Sequence, residues 1–204
     1  MSMKCFRLLG VLIVLVALID GCANRPYLNI NYSVPPRSQY LNGQSVRIQV
    51  QDSRKTQAVM EPRALRVFPD FQDRYSLAWI MPNRQRLAAG EYDLAALFKQ
   101  TFKKRLERLG ANVVGDENAG VPLLRVDINT VRLKLIGVKW YATISCTAGL
   151  IVDERRVAGE TVSGNAERVR VVGRKGADLL LSNTFTDVVN RIDMAKLFHQ
   201  ANLL

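Results

Sequence analysis

The chain has 204 residues, enough for one globular domain and barely enough for two. Its 48 % hydrophobic and 23 % charged residues exclude a disordered tail and a polytopic membrane protein, and three cysteines with one histidine exclude a multi-disulfide scaffold or a His/Cys metal cluster. The 29 Lys and Arg against 18 Asp and Glu give a formal net charge of +11, which suits nucleic acid, anionic lipid or no particular partner.

The N-terminus chooses among these. Lys4 and Arg7 precede an apolar run from Leu8 to Ile19, followed by Asp20, Gly21 and Cys22. As a helix that run spans about 18 Å, well short of the ~30 Å hydrocarbon core, so it reads as a signal-peptide h-region and not as a membrane span. The stretch Leu18-Ile19-Asp20-Gly21-Cys22 resembles the lipobox of bacterial lipoproteins, with Asp20 a departure from the usual small or uncharged residue. The resemblance implies cleavage between Gly21 and Cys22 and acylation of the Cys22 sulfur, a stable anchor once two or three chains are attached. Ala23, in place of Asp, implies by similarity to enterobacterial sorting the outer membrane, periplasmic face. An ordinary secretory signal with a chance cysteine is the alternative.

Removing residues 1–21 takes away Lys4, Arg7 and Asp20, so the formal charge falls by one, from +11 to +10. Cys5 leaves with the signal, and Cys146 is then the one free thiol, with no disulfide partner. Export sets nucleic acid aside and leaves phospholipid and lipopolysaccharide head groups as the expected electrostatic partners.

Residues 22–44, with Pro26 and Pro35-Pro36, are expected to be the acylated Cys and a flexible tether, although Tyr27, Tyr32 and Tyr40 allow it to dock on the domain instead. A single domain is expected over 45–204. Val46, Ile48 and Val50 alternate with Arg47 and Gln49 as in a half-buried strand over Ser45–Gln51. Pro62, Pro69 and Pro82 break 55–90 into a long loop with small strands or a hairpin around 64–68 and 76–80. Leu94, Leu97, Phe98, Phe102, Leu106 and Leu109 share one face of a helix over 91–109, with Glu91 and Asp93 at its start and Gly110 as its stop.

A short strand at 111–114 leads to three long ones. In the first, the apolar parity changes between Ile128 and Val131, which predicts a bulge near Asn129-Thr130. Alternation is clean from Trp140 to Val152, and another strand covers about 156–172, so the three form an antiparallel meander. A second helix is expected from Ala177 to about His199. The expected fold is α+β: an antiparallel sheet with two long helices packed on one face, a two-layer sandwich preceded by signal peptide and tether.

Chemistry is sparse. His199 reads as a solvated terminal residue, and no G-x-S-x-G elbow accompanies it. Cys146 lies on an apolar strand parity and reads as a small buried hydrophobe. Val172-Gly173-Arg174-Lys175-Gly176 lacks phosphate-loop spacing and reads as a solvated turn before a helix, though its two cations also suit an anion site. No cofactor, metal or catalytic group is expected. Lys99, Lys103, Lys104, Arg105 and Arg108 gather five cations on one helix, an expected contact for anionic head groups or else ordinary solvated surface.

The order of lipobox, Pro-rich tether, strand ending in Asp52-Ser53-Arg54, helix ending in Arg108-Leu109-Gly110, three strands, and helix opening with Ala177-Asp178 resembles the YajG-like lipoproteins of Gram-negative bacteria. The resemblance implies an outer-membrane lipoprotein facing the periplasm, with no catalytic activity and no transferable site residue beyond Cys22. The expected role is a non-enzymatic binding or adaptor module with an envelope protein partner. The alternative is an auxiliary lipoprotein of an ABC-type lipid or envelope transport system. An apolar groove between helix and sheet marks the second, and a filled core marks the first.

Overall fold

Leu28, Ile30 and Tyr32 alternate with Asn29, Asn31 and Ser33, and this period makes Tyr27–Ser33 a half-buried strand, β1, in the computed structural model, which describes residues 26–118, 120–170 and 174–204. Residues 27–33 of the expected tether are therefore sheet, and Tyr32 is fully buried while Tyr40 stays exposed. After β2 (Ser45–Asp52) come a one-turn helix α1 (Pro62–Leu65) and the hairpin β3 (Arg74–Ile80) and β4 (Arg86–Tyr92). The hairpin falls inside the region expected to be mostly loop, and α1 stands where a small strand was expected.

Asp93 caps helix α2 (Leu94–Arg108) by accepting from Ala96 N at 2.7 Å. Gly110, at φ +95°, ends it in a conformation that suits glycine. Then follow β5 (Asn112–Val113), β6 (Leu123–Ile136), β7 (Lys139–Val152) and β8 (Arg155–Val169). The expected antiparallel meander is β6-β7-β8, and the register of β6 on β7 slips between Ile128 and Thr130, where the bulge was expected. Helices α3 (Lys175–Arg191) and α4 (Met194–Gln200) close the chain.

The fold class departs from the expected one. Among the described residues the chain is mainly β, with eight strands in two sheets, ordered β1-β3-β4 and β5-β2-β6-β7-β8. Both sheets mix directions, since β1 pairs with β3, and β2 with β5 and β6, in parallel. The expected second long helix breaks at Ile192, whose ψ of 119° is extended, and Asp193 starts α4 by accepting from Lys196 N. The two-layer sandwich with two long helices is thus replaced by a mixed five-stranded sheet and a second, three-stranded sheet joined to it through α2 and α3.

One core runs through all of this. Leu97, Phe98, Phe102 and Leu106 of α2 and Leu181, Phe185, Val188 and Val189 of α3 are buried with Val126, Ile128, Ile144, Cys146 and Ala148 of the sheet. Phe98 and Phe185 meet edge to face with centroids 5.0 Å apart, and Tyr32 meets Phe185 at 6.2 Å. At Gly164 of β8 an added Cβ would stand 2.7 Å from Val188 Cγ2, so the glycine lets α3 settle onto the sheet.

The outer edge of β1 is covered by α3 in an unusual way. Asp178, Ser182, Thr186 and Asn190 recur every four residues, and four helical residues rise ~6.0 Å against ~6.6 Å for two strand residues. Each turn therefore meets the next free backbone pair of the strand. Asn29 N donates to Asp178 Oδ1 at 3.2 Å, Asn31 N to Ser182 Oγ at 3.0 Å, and Ser33 N to Thr186 Oγ1 at 3.2 Å. Asn190 Nδ2 donates to Ser33 O at 3.2 Å. Polar rungs on a helix stand in for a ninth strand and protect the edge. Ser182 is buried and also donates to Asn29 O, so Ser182→Ala leaves two backbone groups short and lowers stability by about 1–3 kcal/mol in urea denaturation. A loss under about 0.5 kcal/mol would mean that water replaces the rung.

Candidate functional site

Cys22 and Gly21, the expected acylation and cleavage residues, lie outside the described residues. The five cations of α2 are described, and they do not form one surface. Arg105 is buried: its guanidinium donates to the carbonyls of Val189, Asn190 and Ile192 at the end of α3. Arg108 Nε donates to Pro35 O at 3.2 Å, and Lys99 Nζ lies 3.9 Å from the Asp116 carboxylate. Lys103 is exposed and Lys104 half-buried, and neither has an ion pair among the described residues. Two of the five thus remain uncommitted, and Arg105 is a structural cap.

Burial disfavours the charge on Arg105, and the neighbouring acids do not cancel it at short range. Burial also drives the Tyr32 hydroxyl well above its usual range and pushes the Cys146 thiol up to about 12, so both stay neutral. The carbonyl end of α3 with its dipole is what holds the cation. Cys146 is fully buried, as its strand parity predicted, and His199 is exposed. Arg174 stacks 4.7 Å over the Phe68 ring and donates to Val67 O, so one cation of the glycine-flanked turn is spent on packing.

A second charged cluster lies where β2 ends. Arg54, with its side chain 5 % exposed, makes a two-pronged pair with Asp52, at 2.8 and 2.7 Å, and Nη2 also reaches Gln57 Oε1 at 3.3 Å. Arg54 holds the Asp52 carboxyl below the usual carboxylate range, and burial raises that of nearby Asp73. Arg54 Nη1 is buried without a partner among the described residues. The Asp-x-Arg signature is thus a built ion pair that ties the end of β2 to the loop after it.

The described concavities lie at the surface. A dish of about 630 Å³ is bounded by Arg47, Pro122, Leu123, Ile151, Asp153 and Glu154, and one of about 420 Å³ by Ser53, Arg54, Thr56 and Thr130. Side chains of the helices and sheets share one buried core, and a concavity of about 220 Å³ opens between α2 and the β2–β5 edge beside Lys99, Lys103 and Val113. Among the described residues no group of three His, Cys, Asp or Glu side chains could hold a metal, and no helix is long and apolar enough to cross a membrane.

The end of the domain at which the chain enters has a different character. Gln72 N donates to Pro26 O at 3.0 Å, and Arg174, at the start of α3, reaches Val67 and Phe68. Phe68 meets Trp140 at 6.0 Å beside the β6–β7 turn. Arg63 of α1 reaches Gly137 O in that turn, and Arg170 N donates to Val138 O at 2.7 Å. Four aliphatic side chains stand out here: Leu65 at 42 %, Ile136 at 56 %, Val138 at 69 % and Val169 at 57 % exposure. Sequence periodicity overlooks them because they follow the apolar parity of no element; an Ile-Gly-Val turn was the available signal.

No family model and no curated protein matches the chain. Among solved structures, a Xanthomonas campestris protein of the family DUF330 is similar in fold, with a TM-score of 0.55 and 14 % identity over 85 % of this chain and 97 % of that one. A minor lipoprotein from Acinetobacter baumannii has a TM-score of 0.44 and 11 % identity, over 78 % of this chain and 94 % of that one. Rare lipoprotein B from Shewanella oneidensis has a TM-score of 0.41 and 13 % identity, over 52 % of this chain and 88 % of that one. The first of these bears on the fold. None of the three singles out the YajG-like layout.

Proposed function

We propose that the protein is a non-enzymatic lipoprotein of the bacterial envelope, anchored by acylated Cys22 in the outer membrane, facing the periplasm, and working as an adaptor for an envelope protein. The observation that carries the anchor is the sequence of Lys4 and Arg7, the Leu8–Ile19 run and Gly21-Cys22, placed five residues ahead of a folded strand that begins at Tyr27. The YajG-like order of elements is the finer form of this reading. The shared helix–sheet core favours the adaptor over a lipid-carrying component of an ABC-type transport system, which needs an apolar groove, since the described gap between α2 and the sheet is lined in part by Lys99, Lys103 and Asp116.

Replacement of Cys22 by Ser tests the anchor. The wild-type protein should fractionate with membranes and carry the mass of two or three acyl chains. Cys22→Ser should lose that mass and keep its signal segment, because acylation precedes cleavage. A wild-type protein without acyl mass, trimmed identically to the variant, defeats the reading.

A further inference from the structure

If Cys22 carries the lipid, as proposed above, five peptide steps separate it from Tyr27, a reach of at most about 17 Å. The entry end of the domain is then held at the bilayer surface, and the long strands run away from it. This is the end at which Leu65, Ile136, Val138 and Val169 are exposed. It is also basic: the segments 61–74, 134–139, 167–170 and 174–178 hold nine Lys and Arg against five Asp and Glu. Two of those acids are already paired, Glu61 with Lys134 at 2.8 Å and Glu167 with Lys139 at 2.7 Å. Arg63, Arg66, Arg168, Arg170 and Lys175 are exposed around the aliphatic tips.

We infer that this pole is a second membrane contact, in which the β6–β7 turn with Ile136 and Val138 enters the interface of an anionic phospholipid leaflet and the surrounding arginines meet its head groups. Apolar tips ringed by cations suit that boundary, where the tips leave water and the cations keep it. Length of chain and sign of charge both point to the bilayer as occupant. Lys103 and Lys104 of α2 lie toward the other end, where that helix runs into Gly110 and β5 beside Ser45. The head-group contact expected of the α2 cations thus moves to a different set of residues.

The test uses the acylated full-length product, with Val138→Cys in one variant and Val157→Cys in another, each labelled with an environment-sensitive fluorophore. Val157 is also exposed and lies some 40 Å along β8 from Val169. Cys146 is buried with its thiol pushed up to about 12, so it does not compete for the label. In vesicles of phosphatidylethanolamine and phosphatidylglycerol, brominated lipid should quench the 138 probe severalfold more than the 157 probe. Arg66→Glu with Arg170→Glu should cut the docked fraction roughly tenfold at low salt. Equal, water-like signals at both positions in acylated protein overturn the docking and leave the anchor standing. A 138 probe shielded from both bromolipid and aqueous iodide marks a protein over this pole, which also overturns it, as does a signal indifferent to the two charge reversals. Intact mass lacking acyl chains defeats the anchor instead, and salt-sensitive burial of the 138 probe on the same vesicles then upholds the docking by itself.

Discussion

Arg105→Met should lower stability by about 3–5 kcal/mol. Met fills much of the volume of the aliphatic stem, so the loss is chiefly that of the guanidinium. Three carbonyls at the end of α3, those of Val189, Asn190 and Ile192, would be left facing apolar side chains with no donor. Water cannot readily replace it, because Arg105, Val189 and Ile192 are all buried. For a chain of this size the loss corresponds to a fall in Tm of roughly 10 °C or more. Arg105→Lys should fall between the two, since an ammonium keeps the charge but cannot span three carbonyls with one planar fork. Thermal and urea unfolding of the three proteins check the order. If Arg105→Met and wild type unfold within about 1 kcal/mol of each other, the helix end is satisfied by other means.

The same residue shows what could and could not be read in advance. Helix α2 was legible because its apolar stripe, its Asp93 cap and its Gly110 stop all agree. That Arg105 turns inward was not, because the acceptors belong to residues more than eighty positions away. The meander and its bulge were legible from parity alone, since neighbours in sequence are neighbours in the sheet. The parallel pairs were not: β1 meets β3, and β2 meets β6, across long intervening segments whose pairing no local pattern encodes. The prolines at 26, 35 and 36 mask the two-residue period of β1, and in the proline-broken stretch after residue 55 β3 falls where a small strand is expected around 76–80 while β4 goes unmarked. The break between α3 and α4 had a signal that went unused, an Asp193 three residues ahead of the amide it caps. Of the candidate site, Cys22 is visible in sequence, whereas the gathering of Leu65, Ile136, Val138 and Val169 at one pole comes from segments far apart in the chain and emerges in three dimensions.

The Asp52–Arg54 pair predicts a second large effect and a distinctive response to acid. Asp52→Asn removes the carboxylate that receives both prongs of a guanidinium whose side chain is 5 % exposed and whose Nη1 already lacks a partner among the described residues. A buried cation left without its counter-ion costs about 3–5 kcal/mol, and Arg54→Met added to Asp52→Asn should restore part of it by removing the charge. The two acids of the cluster respond to pH in opposite senses. Asp52 has its folded value lowered by the hydrogen bonds from Arg54, so its stabilisation is present above the ordinary carboxylate range and is lost as pH falls through the lowered value, below about pH 4. Asp73 has its folded value raised, first by burial, with Arg54 opposing. The folded state therefore holds that proton more tightly, and stability gains as pH falls through the raised value. Unfolding free energy should thus be flat or slightly rising on mild acidification before it collapses below about pH 4. In Asp73→Asn, whose side chain also tolerates the φ of +54° there, the rise should vanish while the collapse remains. A collapse of unchanged size in Asp52→Asn would assign the acid transition to other carboxylates and reduce the Asp-x-Arg signature to a local turn.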